Sequence, residues 1–295
     1  MTTAPIDVDT ALVPRRRSRG LVAEAIRRHP TVMLGTALLG LMALIAILAP
    51  YLGTVDPQAL SPIKRLRFPQ QAYWFGTDML GRDVYSRVIY GSRISLVVGL
   101  SVALCSTVIG LAIGLVTGFS RVTDAIVMRV MDGLMSIPPV LLAIALMALT
   151  RASVGNVIFA ITVSEVPRVT RLVRGVVLSL REQPFVEAAT AAGTGFVKTL
   201  RRHILPNTIA PILVQGTYIC ASAMITEATL SFIGAGTPPN IPSWGNIMAE
   251  GRSLFQVAYY IVLFPAAFLS VTVLAVNLVG DGLRDALDPR LARRM

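Results

Sequence analysis

Residue types able to perform covalent or metal chemistry are sparse in this chain. His29 and His203 are the only histidines, they stand far apart, and neither has a Cys or His neighbour at metal-ligand spacing. Cys105 and Cys220 both fall inside apolar runs, where a thiol packs as a small apolar group, so both read as reduced packing residues. No metal site is expected. The run Gly193-Thr194-Gly195-Phe196-Val197-Lys198-Thr199 has the flavour of a phosphate-binding loop. That loop needs glycine immediately before the lysine and another five residues earlier. Val197 and Ala192 occupy those places, so no nucleotide site and no catalytic set are expected. What remains are polar groups suited to docking. Lys198, Arg201 and Arg202 flank one apolar ridge in the stretch that also holds Glu187, and Asp78, Arg82, Asp83 and Trp244 stand in segments dense in Gly and Pro.

The elements that must carry these groups are membrane helices. The 295 residues are 54% hydrophobic and only 15% charged, with a mean hydropathy of +0.67, far too apolar for an ordinary soluble domain. A net charge of +11 and a pI near 10.6 would suit nucleic acid if the basic residues formed one face with interleaved aromatics. They gather instead at the ends of apolar runs, so no nucleic acid is expected. Uncharged runs long enough to cross a bilayer place about six spans at 31–53, 94–118, 133–150, 152–169, 204–226 and 254–280. The third has Pro138-Pro139 near its start and should begin irregularly or kink. The fourth is short in its uncharged part, Ala152 to Ser164, with Glu165 and Pro167 at its end. Arg15, Arg16, Arg17 and Arg19 precede the first run, but its length and the lack of a small-residue cleavage site mark it as an uncleaved span.

Charge asymmetry orients the chain. With the N-terminus inside, Lys and Arg number six in 1–30, two in 119–132, seven in 165–203 and four in 281–295, so 19 of the 27 lie inside. Both termini are therefore expected to be cytoplasmic. The organisation is a basic tail (1–30), a first helix (31–53), an external segment (54–93), a five-helix core (94–280) and a C-tail (281–295). Arg82, Arg87 and Arg93 are placed on an interfacial helix leading into the second span. Gly110, Gly114 and Gly118 bare one face of that span, so another backbone can approach closely. The approaching helix could belong to this chain or to a partner. Glu165 and Glu227 are read as lying near span ends, leaving the apolar cores without the Asp, Glu or His that an ion-coupled secondary transporter needs. Arg168, Arg171, Arg174 and Arg181 read as snorkelling anchors on one side of a helical continuation.

Between the fourth and fifth spans, the stretch 183–207 reads as two short helices joined at glycine. Pro184 suits a first helical position, Gly193 ends that helix and Thr194 caps the next. Phe185, Ala189, Ala192, Phe196 and Leu200 recur at spacings of three and four, a ridge that wants a protein groove. This stretch resembles the EAA loop of ABC importer permeases: Glu-Ala-Ala, three residues, Gly, nine residues, Ile, one residue, Leu-Pro. Glu187-Ala188-Ala189, Gly193 and Leu205-Pro206 match in register, and His203 stands in the Ile place. The wording His203-Ile204-Leu205-Pro206-Asn207 is similar to the dipeptide, oligopeptide and nickel branch. Three more stretches resemble that branch: 75–96, beginning Phe75-Gly76-Thr77-Asp78; 230–246, with Leu230-Ser231-Phe232 and Trp244-Gly245-Asn246; and 280–289, ending Leu287-Asp288-Pro289.

The resemblance implies an all-α polytopic permease of a bacterial inner membrane that performs no catalysis itself. It also implies a second homologous permease, two ATP-binding subunits that hold ATP and Mg, and an external solute-binding protein. Glu187, Ala188, Ala189, Gly193, His203, Leu205 and Pro206 would couple to the ATPase. Asp78, Arg82, Asp83 and Trp244 could dock the binding protein or line the outer mouth, or could simply cap helices and stiffen loops. Peptides or related small solutes are the expected cargo, with nickel as the alternative within the class.

Overall fold

The computed structural model describes residues 30–287. The basic tail with Arg15 to Arg19 and His29, and the last eight residues of the expected C-tail, lie outside the described residues. Ten helices make up the described chain: α1 (Pro30–Leu48), α2 (Val84–Thr117), α3 (Arg121–Met135), α4 (Pro139–Ala148), α5 (Val154–Arg181), α6 (Pro184–Ala191), α7 (Phe196–Thr199), α8 (Leu205–Phe232), α9 (Trp244–Gly251) and α10 (Tyr260–Leu287). Short polar residues start several of them. Asp83, Ser120, Ser153 and Ser243 each accept a hydrogen bond from the backbone N–H three residues on, satisfying one of the donors every helix start leaves free.

Four stretches are long and apolar enough to cross a membrane: Pro30–Tyr51, Val84–Thr117, Phe196–Phe232 and Tyr260–Leu287. The pair α3 and α4, bent by 89° at their junction, makes a fifth if counted as one span. Pro138 and Pro139 stand at that bend, as the sequence implied. The expected fourth span differs most. α5 does not stop near 169 but runs straight through Pro167 to Arg181, 28 residues in all, and its Glu and Arg residues keep it below span hydropathy. The second span also differs: α2 begins at Val84, ten residues early, because the expected interfacial helix and the span are one continuous rod. The sixth begins at Tyr260 rather than 254, after α9 and a 3-10 turn at Arg252–Leu254.

α5 lies at the centre. Val157, Ala160, Ile161, Val169, Val173 and Val177 on it are essentially inaccessible, packed with Val98 and Val102 of α2, Ala143 and Met147 of α4, and Ile212, Ile219 and Ala223 of α8. The glycine ladder of α2 faces this helix. A Cβ on Gly110 would stand 2.5 Å from Val169 Cβ, on Gly114 2.6 Å from Val173 Cβ and on Gly118 2.5 Å from Val177 Cγ1. Two four-residue repeats thus mesh within the chain, which answers whether the bare face serves this subunit or a partner. α1 sits at the margin against α10, with Gly35 against Leu278 and Gly282 against Val32.

Candidate functional site

The stretch 183–207 forms a helical hairpin between the end of α5 and the start of α8. Pro184 opens α6 at its first position. Gly193 closes it with φ 78°, its N–H donating to Thr190 O at 2.9 Å and the Thr194 N–H to Ala189 O at 3.0 Å. This pair of bonds is a Schellman cap, which needs a left-handed residue at its centre. The next helix departs from expectation in two ways. Gly195, not Thr194, stands at its N-cap, without a side-chain cap bond. It is also not a separate short element: α7 passes through a π turn at Leu200–Ile204 directly into α8.

Glu187 and Ala188 are exposed, Ala189 is half-buried, and Pro206 is exposed beside half-buried His203 and Leu205. Phe185 and Val197 are 45% and 69% exposed, Phe185 on α6, outside the candidate spans, and Val197 in the first turn of the long Phe196–Phe232 stretch. Val186 is buried and anchors the hairpin. Between it and the end of α5 lies a pocket of about 520 Å³ lined by Phe119, Arg181, Glu187, Thr190 and Phe196. Phe196 meets the Phe119 ring edge-on at 4.7 Å, and Arg181 donates to Gly118 O at 2.8 Å while lying over the same ring. The hairpin is thereby seated on the turn between α2 and α3.

The arginines of α5 are paired rather than merely snorkelling. Arg174 forms a bidentate pair with Asp124 of α3, and Arg171 lies 2.6 Å from Asp132. At the opposite end of the helices, Asp78, Arg82, Asp83 and Trp244 hold the chain together. Asp78 Oδ2 accepts from Arg82 Nε and Arg87 Nη1, both at 2.6 Å, and its Oδ1 from the Leu80 and Arg82 N–H groups at 2.8 and 2.9 Å. Glu250 of α9 completes the set through Arg82 Nη2 at 2.5 Å and Arg87 Nη2 at 3.0 Å. Asp83 caps α2, and Trp244 is fully buried with its indole N–H on Val88 O at 3.1 Å. The segment before α2, the start of α2 and α9 therefore form one unit.

Sequence reasoning missed one arrangement. Glu165 does not lie near a helix end: it stands eleven residues into α5, about 16 Å from its start at 1.5 Å per residue. It is 3% exposed, with Ser222 Oγ of α8 3.4 Å from Oε1 and Arg168 Nη1 3.4 Å from Oε2. Glu227 is also fully buried, held by Ser231 at 2.8 Å beneath the loop that Asn246 pins through Pro238 O and Ile241 O. The Glu165 and Arg168 spacing of three was the available signal. The expectation that Glu165 lies near a helix end is therefore corrected, whereas Glu227 does stand near one, five residues before the last residue of α8, and the reading against ion-coupled transport no longer rests on Glu165.

Comparison with known proteins supplies the weight that argument loses. Residues 106–293 match the family described as binding-protein-dependent transport system inner membrane component, and residues 20–69 match the N-terminal TM domain of oligopeptide transport permease C. A probable peptide ABC transporter permease protein of Sinorhizobium fredii is 55% identical over 281 residues, covering 95% of this chain and 96% of that one. A dipeptide transport system permease protein of Alkalihalophilus pseudofirmus is 38% identical over 97% of this chain and 93% of its own length. A glutathione transport system permease protein of Pectobacterium atrosepticum is 40% identical, over 90% and 89% respectively. With several helices long and apolar enough to cross a membrane and a family match across most of the described helices, the chain belongs to the binding-protein-dependent inner membrane components, and it is a permease subunit of an ABC-type importer.

Proposed function

We propose that this chain is one of two permease subunits enclosing the path of an ATP-driven importer of peptides or related small solutes, and that it couples to an ATPase through α6 and α7. The observation that carries this reading is the exposed hairpin, with Glu187-Ala188-Ala189 on its surface and Gly193 fixing its turn. Phe185 and Val197 offer apolar area that a groove on an ATP-binding subunit would cover. Leu205 and Pro206 then open the long span, and His203 stands where its ring centroid is 6.3 Å from that of Phe185. ATP and Mg would be held by two such partner subunits, and an external binding protein would deliver the solute. The names of the relatives, for peptides, dipeptides and glutathione, support the cargo class.

The topology in this reading has six spans: the four long apolar stretches, the bent α3–α4 pair, and α5, shielded from lipid by its neighbours. Both termini then lie in the cytoplasm, on the same side as the hairpin. The test is reconstitution. The purified chain alone should hydrolyse no ATP, and vesicles holding it with a second permease, two ATPases and the external binding protein should take up peptide only with ATP. Uptake that persists without ATP on an imposed ion gradient refutes this reading in favour of secondary transport.

A further inference from the structure

Four side chains meet on one face of α5 and α8: Glu165, Arg168, Tyr218 and Ser222. Ser222 lies ten residues before the end of α8, about 15 Å from it, which matches the depth of Glu165 measured from the start of antiparallel α5. In the six-span topology proposed above, with these two helix ends at the outer face, both lie near the middle of a hydrocarbon layer about 30 Å thick. The Arg168 guanidinium lies 5.5 Å from the Tyr218 ring centroid. Its side chain is 39% exposed, and Tyr218 is 53% exposed.

A half-exposed guanidinium at this depth is strongly disfavoured against lipid, so the face needs water or protein beside it. The other side of α5 is the apolar core, which leaves this face for the interior of the assembled transporter. The carboxylate is also incompletely served. Oε2 of Glu165 is buried and accepts no hydrogen bond, and Arg168 reaches it only as a 3.4 Å ion pair. A buried acceptor without a donor is costly, and a donor admitted when the α5–α8 face opens during transport would relieve that cost.

We propose that these residues form a station on the translocation path that takes the charged ends of a zwitterionic solute. The Glu165 carboxylate and Ser222 hydroxyl receive a protonated amine, and Arg168, held on the Tyr218 ring, receives a carboxylate. The choice of zwitterion rests on the peptide-importer reading. The placement on the path rests on the burial and charge of the four residues and is tested separately.

The experiment uses the complete transporter in vesicles, with Cys105→Ala and Cys220→Ala to remove the native thiols and Ser222→Cys as the probe position. Reaction rates are measured with a permanently cationic and a neutral methanethiosulfonate, in each nucleotide state. Cys at 222 should react in at least one state, whereas Leu41→Cys, exposed on the marginal helix α1, should resist the charged reagent. Glu165→Gln should lower the cationic rate relative to the neutral one by about tenfold, the effect of a unit charge about 6 Å away at an effective dielectric near 40. It should also lower the uptake of a dipeptide with a free amine by about tenfold while the isolated binding protein holds that dipeptide unchanged. Inert Cys at 222 in every state overturns the placement, and this arm decides even if Glu165→Gln fails to assemble. A Glu165→Gln transporter with an unaltered rate ratio and unaltered uptake overturns the station. ATP-independent uptake by the unsubstituted complex would instead overturn the importer reading.

Discussion

Gly193 allows backbone conformation to be tested apart from contact. Its φ is 78°, and a Cβ built there meets no atom within 4 Å. Any effect of substitution therefore arises from the left-handed conformation itself. That region costs an ordinary L-residue about 1–2 kcal/mol, less for Asn and most for a β-branched side chain. Gly193→Ala should cost about 1 kcal/mol and Gly193→Val about 2 kcal/mol, shifts of roughly 5-fold and 30-fold in the balance between the capped turn and a helix that runs on. Because the Thr190 and Ala189 carbonyls lose the two cap bonds together, α6 would no longer be aimed by the turn. Uptake and substrate-stimulated ATP hydrolysis, measured in reconstituted vesicles with copurification as the control for assembly, should rank Gly, Asn, Ala, Val in descending order. A Val variant that assembles and transports like the parent refutes the role of this turn in coupling. An Asn variant as poor as Val would show that side-chain volume, not φ, sets the effect.

Gly114→Ala should lower the stability of the complex by about 1–3 kcal/mol through overpacking against Val173 and Thr170 O, read as a lower thermal midpoint. Gly133→Ala, with no atom within 4 Å of the new Cβ, should leave that midpoint unchanged or raise it. Asp78→Ala should cost about 3–5 kcal/mol, because it removes the fully buried carboxylate shared by Arg82 and Arg87 and leaves only the more exposed Glu250 to pair them, and should cut folded yield sharply. Glu250→Ala should cost less, since that carboxylate is 27% exposed and Asp78 remains for both arginines. Reporter fusions should place both termini in the cytoplasm, and labelling of either end from outside intact cells would invert the proposed topology.

Local patterns in the sequence carried much of this architecture, and long-range partners did not. Apolar runs revealed α1, α8 and α10, because a span must be apolar whatever it packs against. The Pro184 start and Gly193 stop of α6 were legible for the same reason, as each acts within one helical turn. α5 was cut short because its arginines read as the edge of a span, whereas Asp124 and Asp132 on α3 satisfy two of them. No spacing rule links Arg87 to Glu250, 163 residues away, so in the sequence Asp78 and Arg82 left both docking and stiffening open. The glycine ladder announced a close approach but not its partner, since the matching repeat of Val169, Val173 and Val177 lay at and beyond the expected end of the fourth span.

The direct passage of α7 into α8 has a mechanical consequence. Phe196–Phe232 is a single body of 37 residues, about 55 Å long at 1.5 Å per residue. Tilting such a rod by about 5° about its middle displaces each end by about 2.4 Å, in opposite directions. The π turn at Leu200–Ile204 and the prolines at 206 and 211 concentrate its compliance in the first turns, close to the hairpin. Beyond them, Ser222 and Glu227 ride on an uninterrupted stretch and move as one. Compliance in those first turns would absorb part of any displacement applied at the hairpin, whereas a tilt that reaches Ile212 would be carried to Phe232 undiminished, as by the stiff section of a rod hinged near one end.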